Sequence, residues 1–326
     1  MDEKKLEKIH KYRSRAVWAG FTTNVIIAIV KWISFLKSDS SAVFSEALHS
    51  TADSINSALL FVGIWSSSKP PDDEHPYGYG KDAYFWALIA SIFMLGVTST
   101  FSITQGYERV ISGDEMKNFN LAIFGLVLSF GIEIIAVYVI MHGLIATINI
   151  QKNIKVRFRD LFKVFKETDS PAIKLVFIED FMAMSGALIA LVAVGIVQIT
   201  NIHAIDGIAA MIIGILLGGL AIMLAAENHD KLIGASAPDE LEHKVYKTTM
   251  NYPPIRDVAD LKTMVMGPNQ VIAHLRIELD PETPVEEMDD ITSELEKRII
   301  KDAPQITDCF IEVIADEDAT EPLNGL

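Results

Sequence analysis

The chain has 326 residues, of which 50% are apolar and 22% charged, and its formal net charge is −15. The charge is unevenly spread, because residues 227–326 hold 23 acids against 9 bases while residues 1–226 hold 20 against 19. No basic face is available to neutralise phosphates, which excludes a nucleic-acid-binding protein, and a lone cysteine, Cys309, excludes a disulfide scaffold.

Six apolar stretches are each about as long as the ~20-residue helix that crosses a bilayer. In chain order they are 15–36, 42–66, 84–107, 120–147, 172–199 and 203–226. The second and fifth are the least apolar because they carry several polar side chains. The pattern predicts a bundle of six transmembrane α-helices, and therefore an integral multi-pass protein of a lipid bilayer.

Lysine and arginine are distributed asymmetrically between the two sides of these spans. The N-terminal arm and the loop between the fourth and fifth spans carry six each, and Lys69 and Lys81 make 14 on that side. The opposite side has three, which are Lys37, Arg109 and Lys117. Positive charge favours the cytoplasmic side, so both termini are expected there. The charged start of the chain lacks the apolar core of a signal peptide, which favours a prokaryotic plasma membrane.

Beyond Pro238 the pattern is that of a small soluble α+β domain. A helical stretch ends at Pro253–Pro254, and two alternating runs separated by Pro268–Asn269 predict a hairpin. A second helix at about 284–301 precedes a third strand. The order αββαβ predicts a ferredoxin-like sheet with two helices on one face, and the bare face favours self-association into a homodimer.

These observations give an expected division of the chain. It comprises a cytoplasmic N-terminal arm (1–14), a transport domain of six transmembrane helices (15–226), a linker (227–237), a cytoplasmic ferredoxin-like domain (238–318) and a polar C-terminal tail (319–326).

The second span carries the densest set of polar residues in the apolar body. Several of them recur at spacings of four, four and three, which places them on one helix face. They are Ser45, His49, Asp53 and Asn56. His49 and Asp53, one turn apart, can both reach one small cation, which is half of a tetrahedral Zn²⁺ site. The alternative is a polar seam that holds helices together.

The fifth span contains two adjacent acids, Glu179 and Asp180, in an otherwise apolar segment. An unpartnered charge there costs about 2.5–3.5 kcal/mol, and a shared divalent cation removes that cost. Successive helical residues point about 100° apart, so one acid is expected to bind the ion directly and the other to act as a neighbour, gate or proton carrier. The alternative is a structural acid pair bonded to another helix.

Three further charged residues are candidates, and the two acids among them have two interpretations each. Glu133, midway along the fourth span, either bonds to a neighbouring helix or forms a second acidic step in the cation pathway. Asp206 opens the sixth span, where it is expected to cap that helix or to act in cation entry. Lys81 is expected to pair with an acid at or near Asp230, where the tail domain joins the membrane body.

The stretches SSAVFSEALHSTADSIN and KPPDDEHPYGYGKDAYFW resemble the cation diffusion facilitator family of zinc transporters, in particular its zinc-transporter-nine-like branch. The resemblance covers nearly the whole chain and implies six spans, cytoplasmic termini, a ferredoxin-like tail domain and a homodimer. It implies His49, Asp53 and Asp180 as metal ligands. The fifth-span histidine of the family is Val176 here, so the fourth ligand is Glu179, a water molecule or Asn56.

The resemblance also bears on metal identity and on the tail domain. Zn²⁺ is the expected ion, although oxygen in place of nitrogen moves a site towards Mn²⁺ or Fe²⁺, and Co²⁺ is a further alternative. The family's tail domain often binds additional metal, which implies His274 and Asp316. Ile314 stands where a neighbouring histidine is expected. For the 23 acids of this region, loose binding of divalent ions and a solvated acidic surface are the two interpretations.

The mechanism follows from what the sequence lacks and from ligand chemistry. No Walker A motif is present, so ATP hydrolysis does not drive transport. Metal ligands must be deprotonated, and histidine titrates near neutral pH. We therefore expect a secondary transporter, not an enzyme, that exports the metal in exchange for protons by alternating access. A channel, a membrane scaffold or receptor, a metal sensor and an intramembrane metalloenzyme are the alternatives.

Overall fold

The structure is a computed structural model that describes the backbone of residues 3–152 and 171–314. Within these ranges the side chains are described at 21–135, 138, 178–179 and 181–314. The side chains of Val176 and Asp180, all of Asp316 and the 319–326 tail lie outside the described residues, as do the side chains of the N-terminal arm.

The elements follow one another in the predicted general order, helices first and a mixed domain last. They are α1 Glu3–Ser38, α2 Ser41–Ser67, α3 Asp82–Phe93, a π-helical turn Met94–Ser99, α4 Thr100–Ser112, α5 Phe119–Lys152, α6 Pro171–Thr200, α7 Ala204–Ile233, α8 Asp239–Met250, β1 Ile255–Gly267, β2 Gln270–Leu279, α9 Val285–Asp302 and β3 Ile306–Ile314.

Long helices cover all six predicted spans, but not all of them are equally apolar. Among the described residues, four segments are long and apolar enough to cross a membrane: Phe21–Ser38, Asp82–Ser112, Phe181–Thr200 and Ala204–Ile233. Helix α2 is not one of them, because residues such as His49 and Asp53 lower its hydropathy. The described apolar part of α5, Phe119–Ile135, is shorter. The count of six spans is therefore not confirmed and stays a prediction.

Left-handed residues end several of the membrane helices. Asp39 follows α1 with φ of 59°, Gly113 follows α4 with φ of 67°, and Asn201 follows α6 with φ of 55°. Asp, Asn and Gly tolerate this conformation better than other residues, and it turns the chain out of the helix. The α1–α2 and α6–α7 connections are short for this reason.

The chain divides into two compact units, residues 1–59 with 89–225 and residues 60–88 with 226–326. In the first unit the helices pack through small residues. A Cβ atom on Gly106 of α4 would lie 2.5 Å from the carbonyl oxygen of Gly207 on α7, and the reverse distance is also 2.5 Å. Close backbone approach at small residues is typical of membrane helices, and here it sets the α4–α7 crossing.

The second unit contains a three-stranded sheet in the order β1-β2-β3. Strands β1 and β2 are antiparallel and joined by the predicted turn at Pro268–Asn269, while β3 runs parallel to β2. The core lies between the sheet and α8 and α9, where Val245, Leu275 and Leu295 are fully buried. The predicted αββαβ order is thus observed in the described part of the tail domain.

Candidate metal centre

A cavity of about 140 Å³ lies among α1, α2, α5 and α6 in the first unit. Liquid water occupies about 30 Å³ per molecule, so the cavity has room for a small ion together with water. Its polar lining residues are Thr23, Asn24, His49, Ser50, Asp53, Asn56, Ser57, Glu133 and Glu179. The structure therefore brings together five of the candidate residues that sequence reasoning selected, from three different helices.

His49 is the most buried potential ligand of this cavity. Its side chain is 1% exposed, and Nε2 lies 3.7 Å from Oδ2 of Asp53. Within the described part of the chain neither ring nitrogen, Nδ1 nor Nε2, has a hydrogen-bond partner. A buried polar atom without a partner is costly and calls for an explanation. Coordination of a cation by one of these nitrogens would supply the missing interaction.

Glu179 reaches the cavity from α6, and an amide of α2 contacts it. The side chain of Asn56 donates a hydrogen bond from Nδ2 to Oε1 of Glu179 at 3.4 Å, which is long for such a bond. Among the side chains that are described, no three His, Cys, Asp or Glu residues are grouped closely enough to hold a metal ion. The predicted ligand Asp180 is outside that set, so the ligand set remains a prediction.

Ser45 bonds within its own helix and not to the other candidate residues of the cavity. It is fully buried, and its hydroxyl donates to the carbonyl oxygen of Ser41 one turn earlier at 3.1 Å. Such a bond within the same helix satisfies a buried serine. Ser45 does not line the cavity.

A buried charge cluster next to the cavity was missed by the sequence analysis. Nζ of Lys31, on α1, donates hydrogen bonds to Oε2 of Glu46 at 2.8 Å and to Oε1 of Glu133 at 2.9 Å. The side chains of Lys31 and Glu46 are fully buried, and that of Glu133 is 13% exposed. Glu133 thus bonds to a neighbouring helix and also lines the cavity. A lone lysine in an apolar span needs a partner, and that signal was available in the sequence.

Asp206 does not cap its own helix as the sequence suggested. Its carboxylate accepts hydrogen bonds from the hydroxyl of Ser40 and the backbone amide of Ser41, both at 2.5 Å, and from the amide of Ala42 at 3.2 Å. The first amides of a helix lack partners within the helix and carry partial positive charge. Asp206 satisfies those of α2, and Nε of Arg109 lies 3.9 Å from Oδ2 of Asp206.

The predicted Lys81–Asp230 pair is absent from the described ion pairs. Nζ of Lys81 donates instead to the carbonyl oxygen of Leu232 at 3.1 Å, and Asp230 lies 3.5 Å from Nδ1 of His229. The last carbonyl groups of a helix have no partner within the helix. Lys81 satisfies one of these at the end of α7.

The HPYGYGK stretch ahead of α3 forms a hydrogen-bonded turn. Asp72 accepts a bond from the amide of His75 at 2.8 Å and one from the hydroxyl of Tyr79 at 2.7 Å. The Tyr79 bond, followed by that from His75, lowers the pKa of Asp72, and the same bond raises the pKa of Tyr79 to about 12. Gly78, at φ of 78°, supplies the left-handed residue of the turn. These contacts give the motif a structural role.

The candidate metal residue of the tail domain has a different environment. Nε2 of His274, on β2, lies 4.0 Å from Oε2 of Glu312 on β3, and Nε of Arg276 lies 3.2 Å from the same oxygen. His274 is 48% exposed. Its predicted companion Asp316 falls beyond the last described residue, so a second metal site in this domain stays a prediction.

Comparison with known proteins gives matches along nearly the whole chain. Residues 17–233 match the cation efflux transmembrane domain, and residues 237–313 match the cytoplasmic domain of cation efflux proteins. A solved structure of a MamM CTD variant aligns with 24% of this chain at 20% sequence identity. The alignment covers 95% of that structure and has a TM-score of 0.23.

Several curated proteins are similar to this chain. Metal tolerance protein C4 of Arabidopsis thaliana is 29% identical over 265 residues, which is 81% of this chain and 57% of that protein. The human mitochondrial proton-coupled zinc antiporter SLC30A9 is 26% identical over 271 residues, 82% of this chain and 46% of that protein. Magnetosome protein MamM of Paramagnetospirillum magneticum is 26% identical over 285 residues, which is 85% of this chain and 81% of that protein.

The chain spans about half the length of the first two of these relatives. The match to the transmembrane domain alone covers about two thirds of the chain, and the cytoplasmic-domain match follows it directly. The protein therefore belongs to the cation efflux, or cation diffusion facilitator, family, whose members are membrane transporters of metal cations and not enzymes.

Proposed function

We propose that the protein is a secondary active transporter that exports a divalent metal cation, Zn²⁺ in the first place, in exchange for protons. The observation that carries the proposal is His49. Its ring is buried beside Asp53 in a polar cavity, and both its nitrogens are without hydrogen-bond partners in the described structure. A site of this kind is suited to bind and release a cation.

The proposed ligands are His49 and Asp53 from α2 and Asp180 from α6, with Glu179 as the fourth. His49 and Asp53 are one helical turn apart and converge on one side of α2. Glu179 already lines the cavity. The hydrogen bond from Asn56 to Glu179 supports a role for Asn56 in orienting the Glu179 carboxylate. Acidic side chains inside a membrane domain are costly to keep charged, and a divalent ion offsets that cost.

The metal is proposed from the donor atoms and from the relatives. One imidazole nitrogen with several carboxylate oxygens is compatible with Zn²⁺, and also with the harder ions Mn²⁺ and Fe²⁺, while Co²⁺ accepts the same donors. One relative is named as a proton-coupled zinc antiporter, which supports Zn²⁺ and proton exchange as the first choice.

Proton exchange follows from the ligand chemistry. A histidine or carboxylate must be deprotonated to bind a metal, so binding releases protons and protonation releases the metal. In the proposed cycle the cavity loads from the cytoplasm, the helices rearrange, and protons from the opposite side displace the ion. Asp206 and Ser45 are placed outside the binding step, because both are bonded within the helix scaffold.

The proposal includes the organisation of the chain in the membrane. Both termini are assigned to the cytoplasm of a prokaryotic plasma membrane, and the domain division 1–14, 15–226, 227–237, 238–318 and 319–326 is retained. The tail domain is proposed to form the homodimer through its sheet, where Phe310 is 47% exposed beside His274. His274 and Asp316 are retained as candidates for regulatory metal.

The test is transport by the purified protein in liposomes with Zn²⁺, Mn²⁺, Fe²⁺ or Co²⁺ under an imposed pH gradient. Wild type is compared with Asp53→Ala and with Asp73→Ala, a matched substitution of an exposed loop carboxylate. We expect Zn²⁺ flux that increases with an opposing proton gradient, is lost in Asp53→Ala and is retained in Asp73→Ala.

Other outcomes distinguish the alternatives. Flux that ignores the pH gradient and does not saturate would indicate a channel. No flux with any of the four metals, from folded protein, would indicate a scaffold or sensor, and His49 and Asp53 would then act as contacts between helices. Normal flux from Asp53→Ala would remove this residue from the site.

A further inference from the structure

The cluster of Lys31, Glu46 and Glu133 has the composition of a filled cation site. One nitrogen, Nζ of Lys31, lies 2.8 Å from a carboxylate oxygen of Glu46 and 2.9 Å from one of Glu133. The two carboxylates come from different helices, α2 and α5, and meet on the same positive charge. This is the arrangement in which two acidic side chains bridge a bound cation.

The cluster has more acceptor capacity than the lysine uses. In each glutamate one oxygen bonds to Nζ, and the other, Oε1 of Glu46 or Oε2 of Glu133, is buried without a hydrogen-bond partner among the described residues. With both carboxylates ionised, two negative charges face one positive charge. A divalent ion would balance the two carboxylates fully, whereas the ammonium leaves one negative charge over.

The cluster borders the proposed transport cavity. Glu133 is itself part of the cavity wall, and Glu46 lies one helical turn before His49 on α2. On the other side, a Cβ atom at Gly186 of α6 would lie 2.5 Å from Oε1 of Glu46. The absence of a side chain at Gly186 thus leaves space for the unbonded oxygen between α2 and α6.

We propose that the Lys31 ammonium is a tethered cation that fills a second, two-carboxylate cation site beside the transport cavity. Because it is covalently attached, it balances one of the two carboxylate charges without being transported, and it keeps this region to one divalent ion. The negative charge that remains attracts that ion to the cavity. The inference rests on the proposed function for the role of the first ion, but its test measures binding and not transport.

A lysine that only joins helices predicts a different result when it is removed. In Lys31→Met, the two carboxylates lose their cation, since methionine has similar length and no charge. Buried carboxylates without a partner are costly, so a cation from solution is expected to take the place of the ammonium. A simple helix contact would leave a destabilised protein that binds no extra ion.

The experiment counts bound ions on purified full-length protein by equilibrium dialysis with Zn²⁺ and with Mn²⁺. We expect Lys31→Met to bind one more ion per chain than wild type. The matched variant Lys31→Met with Glu46→Gln should lose the additional ion, because one of the two carboxylates is gone while Glu133 stays in the cavity wall. Lys31→Arg should keep the wild-type count.

Thermal unfolding with and without metal shows whether Lys31→Met is folded and whether its folded state binds the metal. Metal that binds only the folded state raises the melting temperature, so Mn²⁺ should stabilise Lys31→Met more than wild type or the Glu46→Gln double variant. An unchanged ion count together with no extra metal-dependent shift would overturn the proposal. Repeating the count in an Asp53→Ala background separates the two sites, since the additional ion should persist there whatever that variant does to transport.

Discussion

The carboxylate of Asp206 accepts a hydrogen bond from the backbone amide of Ser41 at 2.5 Å, so the first turn of α7 caps the first turn of α2. Helix α2 carries His49, Asp53 and Asn56, which all line the cavity. The position of these residues along the membrane axis therefore depends on a carboxylate 165 residues away in the sequence.

Replacing Asp206 should weaken the protein and lower transport together. Asp206→Ala removes three acceptor interactions with the start of α2 and takes away one of the two carboxylates near Arg109, the other being that of Asp39 at 3.8 Å. Loss of an N-cap and of buried hydrogen bonds costs about 1–3 kcal/mol. Thermal unfolding in detergent measures the effect, and Asp114→Ala, at an exposed carboxylate, serves as the control. Equal stability of the two variants would show that the cap is dispensable.

Gly186 and Gly195 lie on the same helix, α6, and should respond in opposite ways to alanine. At Gly186 the added Cβ would lie 2.5 Å from Oε1 of Glu46, whereas at Gly195 nothing lies within 4 Å. Overpacking costs about 1–3 kcal/mol, while alanine at an unobstructed helical glycine gains up to about 1 kcal/mol. A lower melting temperature for Gly186→Ala and an unchanged or higher one for Gly195→Ala are expected, and the reverse order would contradict the packing described.

The turn before α3 should weaken in acid. A folded-state pKa of Asp72 below its usual value stabilises the turn above the unfolded pKa, and this contribution is lost as the pH falls through the folded pKa. The hydrogen bond from Tyr79 is the largest cause of the shift. Tyr79→Phe should therefore raise the pKa of Asp72 towards its usual value. Carboxyl NMR titration of labelled protein, with Asp72→Asn for assignment, measures the change, and identical titrations would contradict the assigned cause.

Cys309 should be almost inert to thiol reagents in the folded protein. Burial, followed by the nearby charge of Glu296, raises the pKa of its thiol from 9.0 to about 12. Since the thiolate is the reactive form, its fraction near neutral pH falls by roughly 1000-fold. Iodoacetamide labelling should rise about tenfold per pH unit without levelling off near pH 9. No other cysteine is present, so unfolded protein provides the control, and a plateau near pH 9 would refute the prediction.

Local patterns were sufficient to predict much of the architecture. The apolar stretches marked the long helices, and the Pro268–Asn269 pair marked the hairpin, because helix length, turn chemistry and strand alternation depend on neighbouring residues. The spacing of Ser45, His49, Asp53 and Asn56 was sufficient for the last three, since one helix fixes their common face, whereas Ser45 does not line the cavity. All three do line one cavity.

Contacts between distant helices could not be predicted in the same way. Lys31 was an isolated charge in the sequence, and only the packing of α1 against α2 and α5 gives it two partners. Asp206 was expected to serve its own helix, because a sequence shows the nearest helix start and not the one that tertiary packing brings close. Lys81 bonds to the backbone carbonyl of Leu232, a partner 151 residues away that the sequence does not indicate.

The π-helical turn at Met94–Ser99 joins α3 to α4 without a break in the rod. A π turn holds about one residue more than an α turn, so it rotates the following side chains by about 100° relative to a continuous α-helix. Side chains that follow a regular helical spacing therefore point in one direction in α3 and in a different direction in α4. Removing a single residue from this segment would restore one regular period, so related chains that lack the π turn should align here only across a one-residue gap.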